Sequence, residues 1–172
     1  LYDGASAIAE ACLLALSVTR KSTILYSSLL NAHYIYVMQS YLSGKDVNIV
    51  EIPMNNGITD LDQITSNIDD LSAVIIQSPN TLGLLENWKL TKENLAGSNA
   101  LLIAVGDPIA LSVLKTPGEC GADIYVGEGQ PLGSPINYGG PLLGLMAIKE
   151  KYKRRMPGRI IGKTVDKKKN TG

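Results

Sequence analysis

Ala100-Leu101-Leu102-Ile103-Ala104-Val105, followed at once by Gly106-Asp107-Pro108, is a short apolar run stopped by turn residues. A run of that length suits a strand buried on both faces, punctuated at its end by Gly and Pro. Similar runs, rich in β-branched residues, occupy 23–26, 47–52, 73–77 and 124–126. Residues 142–148 make a last strand, which the pattern allows to be antiparallel. Helical patterns fall between these runs. Residues 6–18 are rich in Ala and Leu, and Tyr34, Val37, Met38, Tyr41 and Leu42 share one face of a second helix that ends at Gly44, a suitable C-cap. Shorter helical segments are expected at 60–68, at 91–96 with Thr91 as N-cap, and at 108–114 with Asp107 as cap and Pro108 at the first position. Strands alternating with helices predict an α/β architecture around a mostly parallel sheet.

The 172 residues are 45% apolar and 19% charged, the composition of a globular domain or most of one. No apolar run approaches the ~18 residues of a membrane span, so no membrane role is expected. The chain starts at Leu1, shows no secretory leader pattern, and reads as a piece of a longer polypeptide. Cys12 and Cys120 form no CxxC pair, and His33 is the only histidine, so a zinc module or disulfide scaffold is not indicated and a cytoplasmic setting fits best. The zero net charge conceals an asymmetry: residues 1–148 hold 6 basic and 14 acidic groups, whereas residues 149–172 hold 10 and 2. That contrast divides the chain into a body, 1–148, and a basic segment, 149–172, whose last residues, 166–172, look disordered. Lys167, Lys168 and Lys169 have no aromatic neighbour on which bases could stack, so nucleic acid is not the expected partner.

Several segments could carry chemistry. Tyr2-Asp3-Gly4-Ala5-Ser6 sets small residues before a helix, where free N–H groups can meet an anion, although an ordinary cap by Ser6 explains the same residues. Ser78-Pro79-Asn80 and Gly106-Asp107 follow strands and so lie where α/β proteins bind ligands; turn formation by Asn80 and helix capping by Asp107 are the plainer uses. His33 opens an apolar helix face, where packing or capping outweighs catalysis. Gly127-Glu128-Gly129-Gln130-Pro131-Leu132 has two glycines of a dinucleotide fingerprint but Leu132 in place of the third. Eight of the 17 glycines fall between Pro117 and Gly144, where backbone must turn tightly or closely approach a neighbour.

Three stretches together resemble one family: residues 2–11, beginning Tyr2-Asp3-Gly4-Ala5-Ser6; residues 117–133, including Gly127-Glu128-Gly129-Gln130-Pro131-Leu132-Gly133; and Met156-Pro157-Gly158-Arg159-Ile160-Ile161-Gly162. Residues 31–41 and 74–80 add to the likeness. The family is the P-protein, or glycine decarboxylase, of the glycine cleavage system, and the resemblance is strongest to its first (α) subunit in organisms that divide the enzyme in two. It implies a fold type I pyridoxal-phosphate (PLP) transferase-like large domain, partial over 1–148, with 149–172 leading toward a small domain. In the PLP-carrying half of this family a lysine precedes a Gly-Gly-Pro segment and forms the Schiff base. Counting back from Gly139-Gly140-Pro141, Gln130 takes that position, and an amide cannot form an imine.

The resemblance therefore implies a non-cofactor subunit. The partner, P-protein subunit 2 (β), would hold the PLP. Together the two would decarboxylate glycine and pass its aminomethyl group to lipoyl H-protein. No residue of this chain is expected to be catalytic. Gly4, Ala5, Ser6, Asn80, Asp107 and Gln130 would mark a vestigial site, while Gly127, Gly129, Gly133, Gly139, Gly140 and Arg159 would face the partner. Two other readings stay open: a self-sufficient PLP-dependent aminotransferase or lyase using Lys115 or Lys163, and a structural or regulatory module acting through the basic tail.

Overall fold

The computed structural model describes residues 1–67, 69–158 and 162–171. Helix α1 (Gly4–Thr19) comes first, followed by β1 (Thr23–Ser27), α2 (Ala32–Leu42) and β2 (Asn48–Ile52). A hairpin of β3 (Met54–Asn55) and β4 (Ile58–Thr59) leads to a 3-10 segment at Leu61–Asn67 and then to β5 (Leu71–Gln77). After it come α3 (Trp88–Asn94), β6 (Leu101–Val105), β7 (Ile124–Glu128) and β8 (Gly144–Ile148). The main sheet runs in the order β2-β1-β5-β6-β7-β8. All pairings are parallel except β7 with β8, where Ile124 stands opposite Ile148 and Glu128 opposite Gly144.

Period-two alternation divides the buried strand residues between two layers. Ile24, Ile75, Ile103 and Val126 pack under α1 and α2, whereas Leu25, Val74, Ile76 and Leu102 pack with Trp88 and Leu95 on the α3 side. Helix α1 lies close on the sheet because Ala7, Ala11 and Ala15, spaced four apart, are fully buried small residues. Trp88 is buried as well, and its indole N–H donates to the Ile76 carbonyl at 3.0 Å, satisfying the one polar atom that burial would strand. Tyr152, beyond β8, joins the α1 layer, and the Arg155 guanidinium reaches Ser17 Oγ at 2.9 Å. Cys12 is wholly buried and its thiol is pushed up to about 12 by that burial; Cys120 is half-buried, and neither forms a disulfide.

All six expected strands are present, within two residues at each end. The helix ends differ more. Asp3, not Ser6, caps α1: its carboxylate accepts the Ser6 N–H at 2.6 Å while Ser6 Oγ accepts the Asp3 N–H at 3.1 Å, a reciprocal capping box. Helix α2 closes at Ser43, one residue before Gly44. Helix α3 begins three residues before Thr91, capped by Asn87 Oδ1 on the Leu90 N–H; Thr91 is buried inside it, and its hydroxyl donates back to the Asn87 carbonyl. Only Ala110–Ser112 of the segment after Pro108 is helical, as a 3-10 turn, although Asp107 does accept the Ile109 N–H at 2.8 Å. The segment at 60–68 is likewise 3-10 over Leu61–Asn67, and Ile68 lies outside the described residues. Residues 166–171, expected to be disordered, form a small turn in which Asp166 gathers the N–H groups of Lys168 and Asn170, closed by a bridge between Val165 and Thr171.

Candidate functional site

Parallel strands deliver their following loops to one edge of a sheet, and of the residues singled out above Gly4, Asp107 and Gln130 lie there. After β7 the chain turns through a 3-10 segment, Gln130–Leu132, and returns as β8, while the start of α1 sits directly against this turn. Leu1 and Gly144 exchange backbone hydrogen bonds of 2.9 Å in both directions. Helix α1 and the glycine-rich segment are therefore neighbours, as their shared place in the fold leads one to expect.

Glu128, the last residue of β7, joins the pieces. Its Oε2 accepts the Gly4 N–H at 2.9 Å, and its Oε1 accepts the N–H groups of Gln130 at 2.9 Å and Leu143 at 2.8 Å. One carboxylate thus satisfies donors from α1, from the turn after β7 and from the approach to β8. A Cβ at Gly4 would stand 2.5 Å from the Tyr34 hydroxyl and 3.3 Å from the Glu128 nitrogen, so a side chain here would require Tyr34 to move.

Beside this junction is a cavity of about 230 Å³, lined by Asn31, Tyr34, Gln77, Gly106, Asp107 and Glu128 among others, with no lysine or arginine in its wall among the described residues. Its charge balance is negative. The Tyr34 hydroxyl is raised above the ordinary tyrosine range by burial first and then by the charges of Glu128, Asp3 and Asp107. Burial, with Asp107 and Tyr34, pushes Tyr125 up to about 12; its hydroxyl donates to the Gly106 carbonyl at 3.1 Å. Both hydroxyls stay protonated in this anionic corner.

The sequence-derived residues have definite partners. Ala5 and Ser6 are buried in the first turn of α1, with the Ser6 hydroxyl held by Asp3. Asn80 is buried and turned into its own loop: Oδ1 accepts from Leu82 and Leu84, and Nδ2 donates to the Gly57 carbonyl and to Glu86 Oε1. Asp107 is exposed and half engaged in its turn. The Gln130 amide reaches the Pro141 carbonyl at 3.1 Å, bracing the two arms of the glycine-rich loop. His33 is exposed at the start of α2. Lys115 lines a different depression, a groove of about 750 Å³ with Leu85, Trp88 and Cys120 on the α3 side, which contains none of the vestigial-site residues. Lys163 is exposed.

The glycines expected to face a partner fall into two groups. Gly127 and Gly129 are buried within the chain, so their small size serves internal packing and not a free face: a Cβ on Gly127 would stand 2.5 Å from both the Gly106 carbonyl oxygen and the Tyr125 hydroxyl, and one on Gly129 would meet Leu143 and Leu145 at 3.0 Å. Gly133 and Gly139 are exposed, with left-handed φ of 131° and 88° and open space around them, and Gly140 has only the Leu142 nitrogen at 4.0 Å. Arg159 lies outside the described residues. Glu128, Tyr34 and Tyr125 were not singled out as site residues. Glu128 did carry a signal, a carboxylate between two glycines and two residues before the position where the resemblance puts the family's lysine, whereas Tyr34 looked like one more apolar residue on a helix face.

Among the described residues, no helix is long and apolar enough to cross a membrane and no acidic, His or Cys cluster could hold a metal. Comparison with known proteins assigns the fold. The chain superposes on a crystal structure of glycine decarboxylase (P-protein) of the glycine cleavage system in inhibitor-bound form with a TM-score of 0.93 at 41% identity, covering all of this chain and 39% of that one. An apo cysteine desulfurase from Thermococcus onnurineus matches at a TM-score of 0.73 but 16% identity, over 98% of this chain and 43% of its own, a likeness of fold alone. Together these identify the mostly parallel sheet as the fold type I PLP-dependent transferase-like large domain. Among curated proteins, the probable glycine dehydrogenase (decarboxylating) subunit 1 of Desulforamulus reducens is 50% identical over 96% of this chain, and that of Moorella thermoacetica 46% over the same share. The chain spans 37% of the length of each of these relatives. The family model for the glycine cleavage system P-protein matches residues 1–172, and the chain belongs to that family.

Proposed function

We propose that this chain is part of the cofactor-free subunit of glycine decarboxylase. Paired with a PLP-bearing second subunit, it completes an enzyme that releases the carboxylate of glycine as CO2 and delivers the aminomethyl group to the lipoyl arm of H-protein. Gln130 carries the reading: at the position of the family's Schiff-base lysine it presents an amide, already bonded to Pro141, that has no amine to condense with an aldehyde.

The surroundings do not fit PLP either. At the α1 N-terminus, where a phosphate finds free donors in other proteins, the Gly4 and Ser6 N–H groups are taken by Glu128 and Asp3. Among the described residues, the adjoining cavity offers carboxylates and no cation to a phosphorylated ligand. No chemical step is therefore assigned to residues of this chain, and its contribution is architecture and the walls of the partner's site.

The same edge of the sheet suits a partner. Leu85, Val113, Leu132, Ile136 and Tyr138 are all exposed large apolar side chains in loops that follow strand ends, the kind of surface that marks protein association. Gly133, Gly139 and Gly140, open on their outer side, would let a partner backbone approach. Arg159 would belong to the same interface, and residues 149–172 would lead on to a small domain. The unpaired Cys12 and Cys120 suit a cytoplasmic enzyme.

Reconstitution tests this. Full-length subunit 1, full-length subunit 2 and lipoylated H-protein are assayed alone and in combination for exchange of labelled bicarbonate into the glycine carboxylate. Exchange is expected only where both subunits are present, and exchange by subunit 1 with H-protein alone would refute the reading.

A further inference from the structure

We propose that Glu128 is a built-in replacement for the phosphate of a cofactor: a carboxylate of the chain itself, fixed at the N-terminus of α1, that holds the glycine-rich loop in place and shuts phosphorylated ligands out. The inference rests on the cofactor-free reading and adds a second, noncovalent reason for it that does not depend on Gln130.

The start of a helix carries unpaired N–H donors and the positive end of the helix dipole, so an anion is stabilised there. In this chain that anion is internal. Glu128 Oε2 takes the Gly4 N–H at 2.9 Å, and Asp3 takes the Ser6 N–H at 2.6 Å. Glu128 Oε1 also draws in the N–H groups of Gln130 and Leu143, so the same carboxylate orders the loop that a bound phosphate would otherwise order from outside. Among the described residues, no lysine or arginine side chain is among its hydrogen-bond partners, and none lines the adjoining cavity. An incoming phosphate dianion would displace a carboxylate already served by three donors and face the charges of Asp3 and Asp107 as well. A purely mechanical tie would need neither the charge nor the location. A phosphate stand-in needs both.

The test uses the full-length subunit as wild type, Glu128→Gln and Glu128→Ala, with thermal midpoints compared in inorganic phosphate and in chloride at equal ionic strength. Wild type should show no phosphate-specific shift. Glu128→Ala should melt lower and be raised by phosphate by about 2 °C or more at saturating concentration. Glu128→Gln keeps the shape without the charge and should respond less than the Ala variant but more than wild type. Should the Ala variant fail to fold, the comparison of wild type with Glu128→Gln decides alone. Equal phosphate responses in all folded proteins, including no response in any, would overturn the role of Glu128 while leaving the cofactor-free reading intact. That reading fails on a different observation, a PLP-modified lysine in this chain.

Discussion

Strand β7 has a carboxylate at each end, and the two are held in opposite ways. Asp123, just before the strand, is almost fully buried and bonded to Lys92 Nζ at 2.6 Å, Lys149 Nζ at 2.8 Å and the Leu102 N–H at 3.1 Å. Glu128, at the far end, receives three backbone N–H groups and, among the described residues, no cation. The first is an ion-pair clasp that fastens α3 and the segment after β8 to the sheet. The second sets its negative charge against backbone donors at the edge where ligands of this fold class bind. Stability is invested at one end of the strand, and electrostatic character is set at the other.

The sharpest way to break this contrast is at the clasp. Asp123→Asn should destabilise the folded chain by about 2 to 3 kcal/mol, below the figure for a fully buried pair because both lysines keep about a third of their side-chain exposure. Burial, the largest influence, pushes the Asp123 carboxyl up, but Lys149, Lys92 and the Leu102 N–H together hold it below the ordinary carboxylate range. The stability it contributes is thus full above the unfolded value of about 3.9 and is lost as pH falls through the lower folded value. Urea unfolding at neutral pH and at about pH 3 should show the gap between wild type and Asp123→Asn narrowing with acid. A gap independent of pH would mean that the clasp is not electrostatic.

A smaller effect distinguishes the inner and outer halves of the glycine-rich segment. Gly127→Ala forces a Cβ toward the Gly106 carbonyl, a backbone atom that cannot swing aside, and should cost about 1 to 3 kcal/mol. Gly140→Ala meets nothing closer than 4.0 Å and should leave the monomer within about 0.5 kcal/mol of wild type. Denaturant curves check both. If the partner docks on the outer half, Gly140→Ala should weaken assembly in size-exclusion chromatography while leaving folding intact.

The sheet was legible because a strand buried on both faces must be an unbroken apolar run, as at Leu101–Val105, and no distant residue is needed to recognise it. Helix starts were harder. Thr91 and Asn87 are both good caps by type, and the choice of Asn87 was settled by Trp88, whose burial and bond to the Ile76 carbonyl draw the helix start three residues earlier. The sheet edge that carries the candidate site was readable from strand ends. Its occupant was not, because Glu128 acts on Gly4, 124 positions away, through a backbone donor that has no residue signature. Asn80 misled for a related reason: an amide after a strand looks like a ligand contact until its loop is seen to use both of its polar atoms.

On the proposed reading, no lysine of this chain carries the cofactor. Borohydride reduction of the assembled two-subunit enzyme, purified with its PLP, followed by peptide mapping for pyridoxyllysine, tests this. One stoichiometric label is expected, in the partner subunit, and no stoichiometric label in the peptides of this chain, including those containing Lys115 and Lys163. A fully labelled lysine in this chain would contradict it.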